Sequence, residues 1–176
     1  MLISWNCTGS EVYLRDGIYL KQHVENHTRN MKTIFDKTTM DELICRINTL
    51  NENSTAQWGK MNVSQMLKHC TLWDEMALGK KKYKQSFIGR LFGKMALKDM
   101  MKDVPIKKNL PTVPSFKIKE NTDVAEEKKK WIRLLNEYTH FSNDGFIHPF
   151  FGAMTKEHTG YMVYKHIDHH LRQFNS

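Results

Sequence analysis

Apolar residues recur along this chain at the three-to-four-residue spacing of amphipathic α-helices, and no long segment alternates with the period of a β-strand. Four long segments show the helical pattern, at about residues 40–50, 62–78, 123–141 and 156–174. No internal repeat or low-complexity tract interrupts them. The pattern therefore predicts an all-α fold in which four helices form a bundle.

Capping residues define the ends of the first two predicted helices. Thr39 and Glu42 have the spacing of a capping box, which places the first helix start near residue 40. Asn62 and Gln65 have the same spacing at the second helix, and Gly79 is its expected stop.

A shorter amphipathic helix is predicted at about residues 86–102, between the second and third long helices. Its apolar side consists of Phe87, Ile88, Leu91, Phe92 and Met95. We expect this side to close one end of the bundle and the neighbouring lysines to be solvated, because a run of charges is usually a solvated face. The alternative is a cationic surface for an anionic membrane or for nucleic-acid phosphates, of which nucleic acid is not expected.

The charge of the chain is concentrated around that short helix. The chain has 27 Lys and Arg against 19 Asp and Glu, a net charge of +8. The segment 79–108 contains ten basic and two acidic residues, and 10 − 2 accounts for the whole excess. Any function of the basic character therefore belongs to this segment.

Length and composition favour one globular domain in the cytoplasm. The chain has 176 residues, 40% of them hydrophobic, and no apolar run long enough to cross a bilayer. The amino end lacks the basic and apolar regions of a signal peptide. Cys7, Cys45 and Cys70 contain no CxxC pair, which argues against a disulfide scaffold or a cysteine zinc ribbon and favours reduced thiols.

Residues 1–30 differ from the rest of the chain. They show no sustained helical period, and Met31 is a plausible translation start. We therefore expect residues 1–30 to be a start-site artefact or a flexible arm, and residues 31–176 to be the bundle domain.

Helical geometry pairs two of the nine histidines, and a third lies on another helix where it can join them. His166 and His170 are one turn apart on the fourth long helix, so both imidazoles face one side with Cβ atoms about 6 Å apart, whereas His169 points elsewhere. His69 flanks the buried face of the second helix. Flanking positions on two bundle helices can converge, and bundle cores are a usual location for metal sites. The spacing therefore gives His69, His166 and His170 as candidate ligands of a divalent metal.

Three neutral imidazoles leave coordination positions free for water or substrate, which is typical of a catalytic zinc site. Zinc is the first candidate, and nickel, iron and manganese also accept imidazole ligands. The alternative is that these histidines are ordinary residues at the boundary of helix faces, which spacing alone does not exclude.

The sequence assigns no catalytic base. The HExxH pattern of zinc proteases is absent, because Ile and not Glu follows His166. Glu75, Asp168 and His148 are candidates, and no spacing favours one of them.

Three residues are candidates to line a substrate pocket. His148 lies next to a proline and either caps a loop or reaches the pocket mouth. Trp73 and Tyr164 are placed for the same role, although aromatic residues at helical spacing more often belong to a core.

The chain resembles the DinB/YfiT-like superfamily from about Met31 to its carboxyl end, most closely a subgroup of bacterial proteins without an assigned activity. The matching stretches are WGKMN at 58–62, QMLKHC at 65–70, KKNLPT at 107–112, HPFFG at 148–152 and YKHIDHHLRQF at 164–174.

The resemblance implies a four-helix bundle that holds a divalent metal on three histidines, one from the second helix and two from the last. His69, His166 and His170 match these positions one by one. Relatives in the superfamily include metal-dependent thiol transferases and some hydrolase-like proteins, so the resemblance implies a small-molecule substrate such as a low-molecular-weight thiol. It also implies a homodimer. The alternative function is a non-catalytic binding or stress-response module that acts through the bundle surface or the segment 79–108.

Overall fold

The computed structural model describes residues 31–143 and 145–176, so the expectation for residues 1–30 lies outside the described residues. The described residues are mostly helical, as predicted. The five helices are α1 Lys37–Thr49, α2 Val63–Ala77, α3 Phe87–Met100, α4 Val124–Glu137 and α5 Lys156–Gln173. Single 3-10 turns lie at Pro114–Phe116 and Tyr138–His140.

Four of the helices pack around one core. α1 and α2 each contact both α4 and α5. The apolar sides that the sequence pattern identified meet inside, where each helix contributes fully buried side chains, among them Ile47, Leu67, Trp131, Leu135 and Ile167. This burial supplies the main stabilisation of the fold.

The predicted cap of α2 is confirmed, whereas the predicted cap of α1 is wrong. Asn62 and Gln65 form a complete capping box at α2. α1 begins at Lys37, because the Asp36 carboxylate accepts hydrogen bonds from the Thr39 amide at 2.8 Å and the Thr39 hydroxyl at 2.6 Å. An aspartate is a strong N-cap, so it starts the helix three residues before the expected Thr39 cap.

A small antiparallel sheet was not predicted. β1 Ile147–His148 pairs with β2 Gly152–Ala153, with His148 opposite Gly152. Two-residue strands are too short to show an alternating pattern in the sequence. The sheet matters because it brings His148 over α2, where its ring lies 6.1 Å from that of Trp73.

α3 lies where the sequence predicts it, but its orientation corrects the expectation. Gly89, Gly93 and Leu97 are its buried residues, and the two glycines pack against the backbone of Phe150. The large apolar side chains, which we expected to close the bundle, are exposed. The glycine side makes the closer approach because it has no side chains to separate the two backbones.

Cys70 is a free and fully buried cysteine, and burial raises the pKa of its thiol well above the usual value. Within residues 31–143 and 145–176, no helix is long and apolar enough to span a bilayer.

A buried carboxylate joins α2 to α4. Asp74 accepts hydrogen bonds from Trp131 Nε1 and from the Tyr138 hydroxyl, each at 2.7 Å. Burial raises the pKa of Asp74 to about 7, and the two donors oppose that rise. The folded protein therefore binds more protons here than the unfolded chain over the range between the ordinary aspartate pKa of about 4 and the folded value.

We expect an Asp74→Asn substitution to remove one component of the pH dependence of stability. The contribution of Asp74 is fully present below the unfolded pKa and is lost as pH rises through about 7. The free energy of unfolding of the wild type should therefore fall relative to that of Asp74→Asn between about pH 5.5 and about pH 8.5. Urea unfolding at both pH values measures the free energy of unfolding of each protein. Asp41→Asn, on the exposed side of α1, is the control. A constant difference between wild type and Asp74→Asn would contradict the prediction.

Candidate metal centre

Three histidine side chains converge between α2 and α5. His69 comes from α2, and His166 and His170 come from successive turns of α5. His69 Nε2 and His166 Nε2 are 3.0 Å apart, and one ring nitrogen from each of the three residues lies within 4.8 Å of the others. His69 and His170 are buried, whereas His166 is partly exposed. The group could hold a metal ion, with access from the side of His166.

Hydrogen bonds fix the tautomers of two of these rings. His69 Nδ1 lies 3.0 Å from the Phe116 carbonyl oxygen, which can only accept, so Nδ1 carries the proton. His170 Nδ1 lies 2.9 Å from Gln173 Oε1, and Gln173 Nε2 donates to the Trp58 carbonyl oxygen at 2.7 Å. That second bond assigns the Gln173 amide and makes Oε1 an acceptor. In the neutral rings, the Nε2 atoms of His69 and His170 therefore carry the lone pairs, and that of His69 points to His166 Nε2 at 3.0 Å.

The surroundings keep all three rings neutral. Burial lowers the pKa of His69. Burial also holds the pKa values of His166 and His170 well below the usual value, with a further lowering from the neighbouring histidines. A neutral imidazole is the form that binds a metal ion. The cluster is therefore prepared for a cation at neutral pH.

Trp73 and His148, two of the expected pocket residues, lie beside the cluster. The Trp73 ring stacks on His166 with centroids 5.2 Å apart and an interplanar angle of 25°. His148 Nδ1 accepts hydrogen bonds from the amides of Phe150 and Phe151, each at 3.1 Å, so His148 caps the hairpin turn. Burial lowers the pKa of His148 to about 3, so the ring is neutral and carries its proton on Nε2.

The third expected pocket residue lies elsewhere. Tyr164 lines a cleft on another side of α5, together with Asp168 and Arg172. Tyr164 is two residues from His166, and a rotation of about 200° along the helix separates the two side chains. His169 also points away, as expected, and its ring meets that of Trp58 at 5.6 Å.

Ion pairs occupy two of the candidate bases. The Glu75 carboxylate pairs with Lys81 at 2.7 Å and with Lys130 at 2.6 Å. Asp168 pairs with Arg46 at 2.9 Å and with Arg172 at 3.1 Å. Among the described residues His148 has no such ion pair, and its ring lies 6.1 Å from that of Trp73, which stacks on His166. Of the three candidates, it is the one that the structure brings near the cluster.

Sequence reasoning missed the groups that hold the histidine rings. Gln173 lies three residues after His170 on α5, which is a recognisable helical spacing for a side-chain contact. The carbonyl groups of Phe116 and Trp58 come from a 3-10 turn and a loop, and no side-chain pattern marks a backbone carbonyl as a partner.

These features define the chain as a mostly helical protein with a three-histidine group that could bind a metal ion. A family model described as "Protein of unknown function (DUF1569)" matches residues 22–176, so the chain belongs to that family. No curated protein matches the chain, and no solved structure does.

Proposed function

We propose that the chain is a metalloprotein of the DinB/YfiT-like type: a four-helix bundle in which His69, His166 and His170 hold a divalent transition metal, with zinc as the first candidate. The packing of α1, α2, α4 and α5 around one core agrees with such a bundle. The ligand positions also agree, since one histidine comes from the second helix and two come from the last.

The observation that carries the proposal is the convergence of three neutral rings on one point. The contact between His69 and His166 alone would also suit a hydrogen bond between two imidazoles. A hydrogen bond between two imidazoles does not involve a third ring. His170 nevertheless lies within the same 4.8 Å group and has its Nε2 lone pair free. Two nitrogens bound to one tetrahedral zinc at about 2.0–2.1 Å lie about 3.3–3.4 Å apart, so the 3.0 Å separation of His69 Nε2 and His166 Nε2 is within about 0.4 Å of that spacing.

The proposed reaction is transfer of a thiol to an electrophile, or the corresponding hydrolysis. A divalent cation in the site would supply a lowered pKa for a thiol or water that it binds. In thiol transfer a carbon–sulfur bond forms, the bond from that carbon to its leaving group breaks, and the thiol proton passes to solvent or to the leaving group. The substrates are a low-molecular-weight thiol and a small electrophile.

The surrounding residues suit a small organic substrate. Trp73 presents an aromatic wall beside His166, which is the partly exposed member of the cluster. His148 keeps a neutral ring with a proton on Nε2, so it can donate a hydrogen bond to a substrate atom. These two residues, and not Tyr164, are the proposed lining of the pocket.

Elemental analysis of the untagged chain, purified without chelator, tests the site. We expect about one equivalent of a transition metal per chain. A metal-free protein that also takes up neither zinc nor nickel on titration would overturn the proposal and leave the three histidines as core residues.

A second assay tests the reaction. The metal-loaded chain is incubated with cysteine or glutathione and a bimane electrophile, and thioether formation is followed by fluorescence. We expect conjugation above the rate of the metal-free chain. A loaded protein that catalyses neither this conjugation nor ester hydrolysis would refute the enzymatic part and leave the metal site standing.

The hydrogen bond from His170 to Gln173 gives a third prediction. Gln173→Leu removes the acceptor that orients the ring, so metal affinity should fall by about 10–100-fold. Gln173→Glu keeps an acceptor for His170 Nδ1 and should lose less. Competition against a chromophoric zinc chelator measures both affinities. Equal affinity in the wild type and the leucine variant would show that the bond does not orient the ligand.

A further inference from the structure

Helix α3 turns its large apolar side chains away from the protein. The exposed fractions are 75% for Phe87, 61% for Ile88, 62% for Leu91, 51% for Phe92 and 69% for Met95. These five side chains share an arc of about 140°, which we name the apolar face of α3. Nine large hydrophobic side chains are exposed among the described residues, and five of the nine belong to this face. The exposure is therefore a patch and not a scatter of single residues.

The opposite side of α3 fixes this orientation. Gly89 and Gly93 approach the Phe150 backbone so closely that added Cβ atoms would overlap its carbonyl oxygen. The Ser86 amide donates to the Pro149 carbonyl oxygen at 2.8 Å at the start of the helix. α3 is therefore docked through its glycines, and its apolar face points outward.

A cationic strip runs beside the apolar face. Arg90 and Lys94 are exposed on the adjoining arc of the helix, and Lys98 is exposed just inside the edge of the apolar face. Lys82 and Lys84 are exposed and precede the helix. No carboxylate within residues 31–143 and 145–176 pairs with any of these five cations. By contrast, Lys80 and Lys81 are paired with Glu137 and Glu75.

We propose that α3 binds the surface of an anionic lipid bilayer, with the apolar face in the boundary between headgroups and acyl chains and the cationic strip on the headgroup phosphates. An amphipathic helix with bulky apolar residues on one face and lysines beside it is suited to this position. Lysine and arginine stems lie along apolar surface while their charges reach the polar layer.

Charge complementarity favours a bilayer over the other occupants. A second copy of the chain would bring two cationic strips together around its apolar face, and like charges repel. A nucleic acid would satisfy the cations but would leave the five apolar side chains in water. Anionic lipid meets both the charge and the apolar surface.

Co-sedimentation of the full chain with vesicles tests the proposal. The probes are phosphatidylcholine vesicles with and without phosphatidylglycerol, at low and at high salt. We expect binding to the anionic vesicles that weakens at least tenfold at high salt, and little binding to the neutral ones. The double variant Leu91→Gln/Met95→Gln changes exposed side chains, so it should keep the fold and bind at least tenfold more weakly.

Two further variants separate charge from position. Lys94→Gln/Lys98→Gln should weaken binding, whereas the control Lys117→Gln/Lys119→Gln removes the same charge from another exposed segment and should not. No binding to anionic vesicles would overturn the proposal. Binding that falls equally in Lys94→Gln/Lys98→Gln and in the control, and does not fall in Leu91→Gln/Met95→Gln, would show attraction by net charge only and would also overturn the proposal. A dimer that Leu91→Gln/Met95→Gln dissociates, without any vesicle binding, would assign the face to a second copy.

Discussion

Replacing His166 by alanine is expected to abolish metal binding at physiological concentrations of the ion. His166 Nε2 lies 3.0 Å from His69 Nε2, and the His166 ring lies 4.6 Å from that of His170. Loss of one of three protein ligands should lower affinity by more than the roughly 10–100-fold cost of losing an outer-shell partner. Elemental analysis of the purified variant should find less than about a tenth of the wild-type metal content.

Thermal unfolding gives an independent measure of the same substitution. A ligand that binds only the folded state at 100 times its dissociation constant stabilises it by about 2.7 kcal/mol. Added zinc should therefore raise the melting temperature of the wild type by several degrees and leave that of His166→Ala unchanged. His140→Ala, which changes an exposed histidine outside the cluster, is the matched control and should respond like the wild type. An equal zinc response in His166→Ala would refute the assignment of ligands.

The convergence of the histidines could be predicted because it depends on regular structure. A spacing of four residues puts His166 and His170 on one side of any α-helix. The position of His69 at the flank of the apolar face followed from the helical pattern of α2, and the Asn62 cap marks where that helix begins. The orientation of the rings could not be predicted, since it depends on the Phe116 carbonyl and on the hairpin around His148. The 3-10 turn and the two-residue strands that carry them leave no periodic pattern in the sequence.

The error about α3 has a specific physical cause. An amphipathic pattern shows that a helix has an apolar side, and burial of that side is the usual outcome for a globular protein. In α3 the two glycines provide a second, flatter side, and the Pro149–Gly152 turn packs there instead. A periodicity analysis detects apolar side chains. It therefore does not detect glycines, which pack closely because they have no side chain.

Substituting Gly93 by alanine is expected to destabilise the protein, which is the reverse of the usual effect in a helix. Gly→Ala inside a helix ordinarily stabilises by about 0.5–1 kcal/mol, because glycine loses more backbone entropy on folding. Here the new Cβ would overlap the Phe150 carbonyl oxygen, and backbone cannot rotate away as a flexible side chain can. We expect a net loss of about 1–3 kcal/mol, typical of inserting a methyl group into a packed contact.

The neighbouring position supplies the matched control for that prediction. Lys94 is exposed on the same helix, so Lys94→Ala should be more stable than Lys94→Gly by about 0.8–1 kcal/mol. Urea unfolding of the four proteins compares the two positions: alanine should be favoured over glycine at 94 and disfavoured at 93. The same sign at both positions would mean that α3 does not dock through its glycines. The outward direction of its apolar face, on which the membrane proposal depends, would then lose its structural basis.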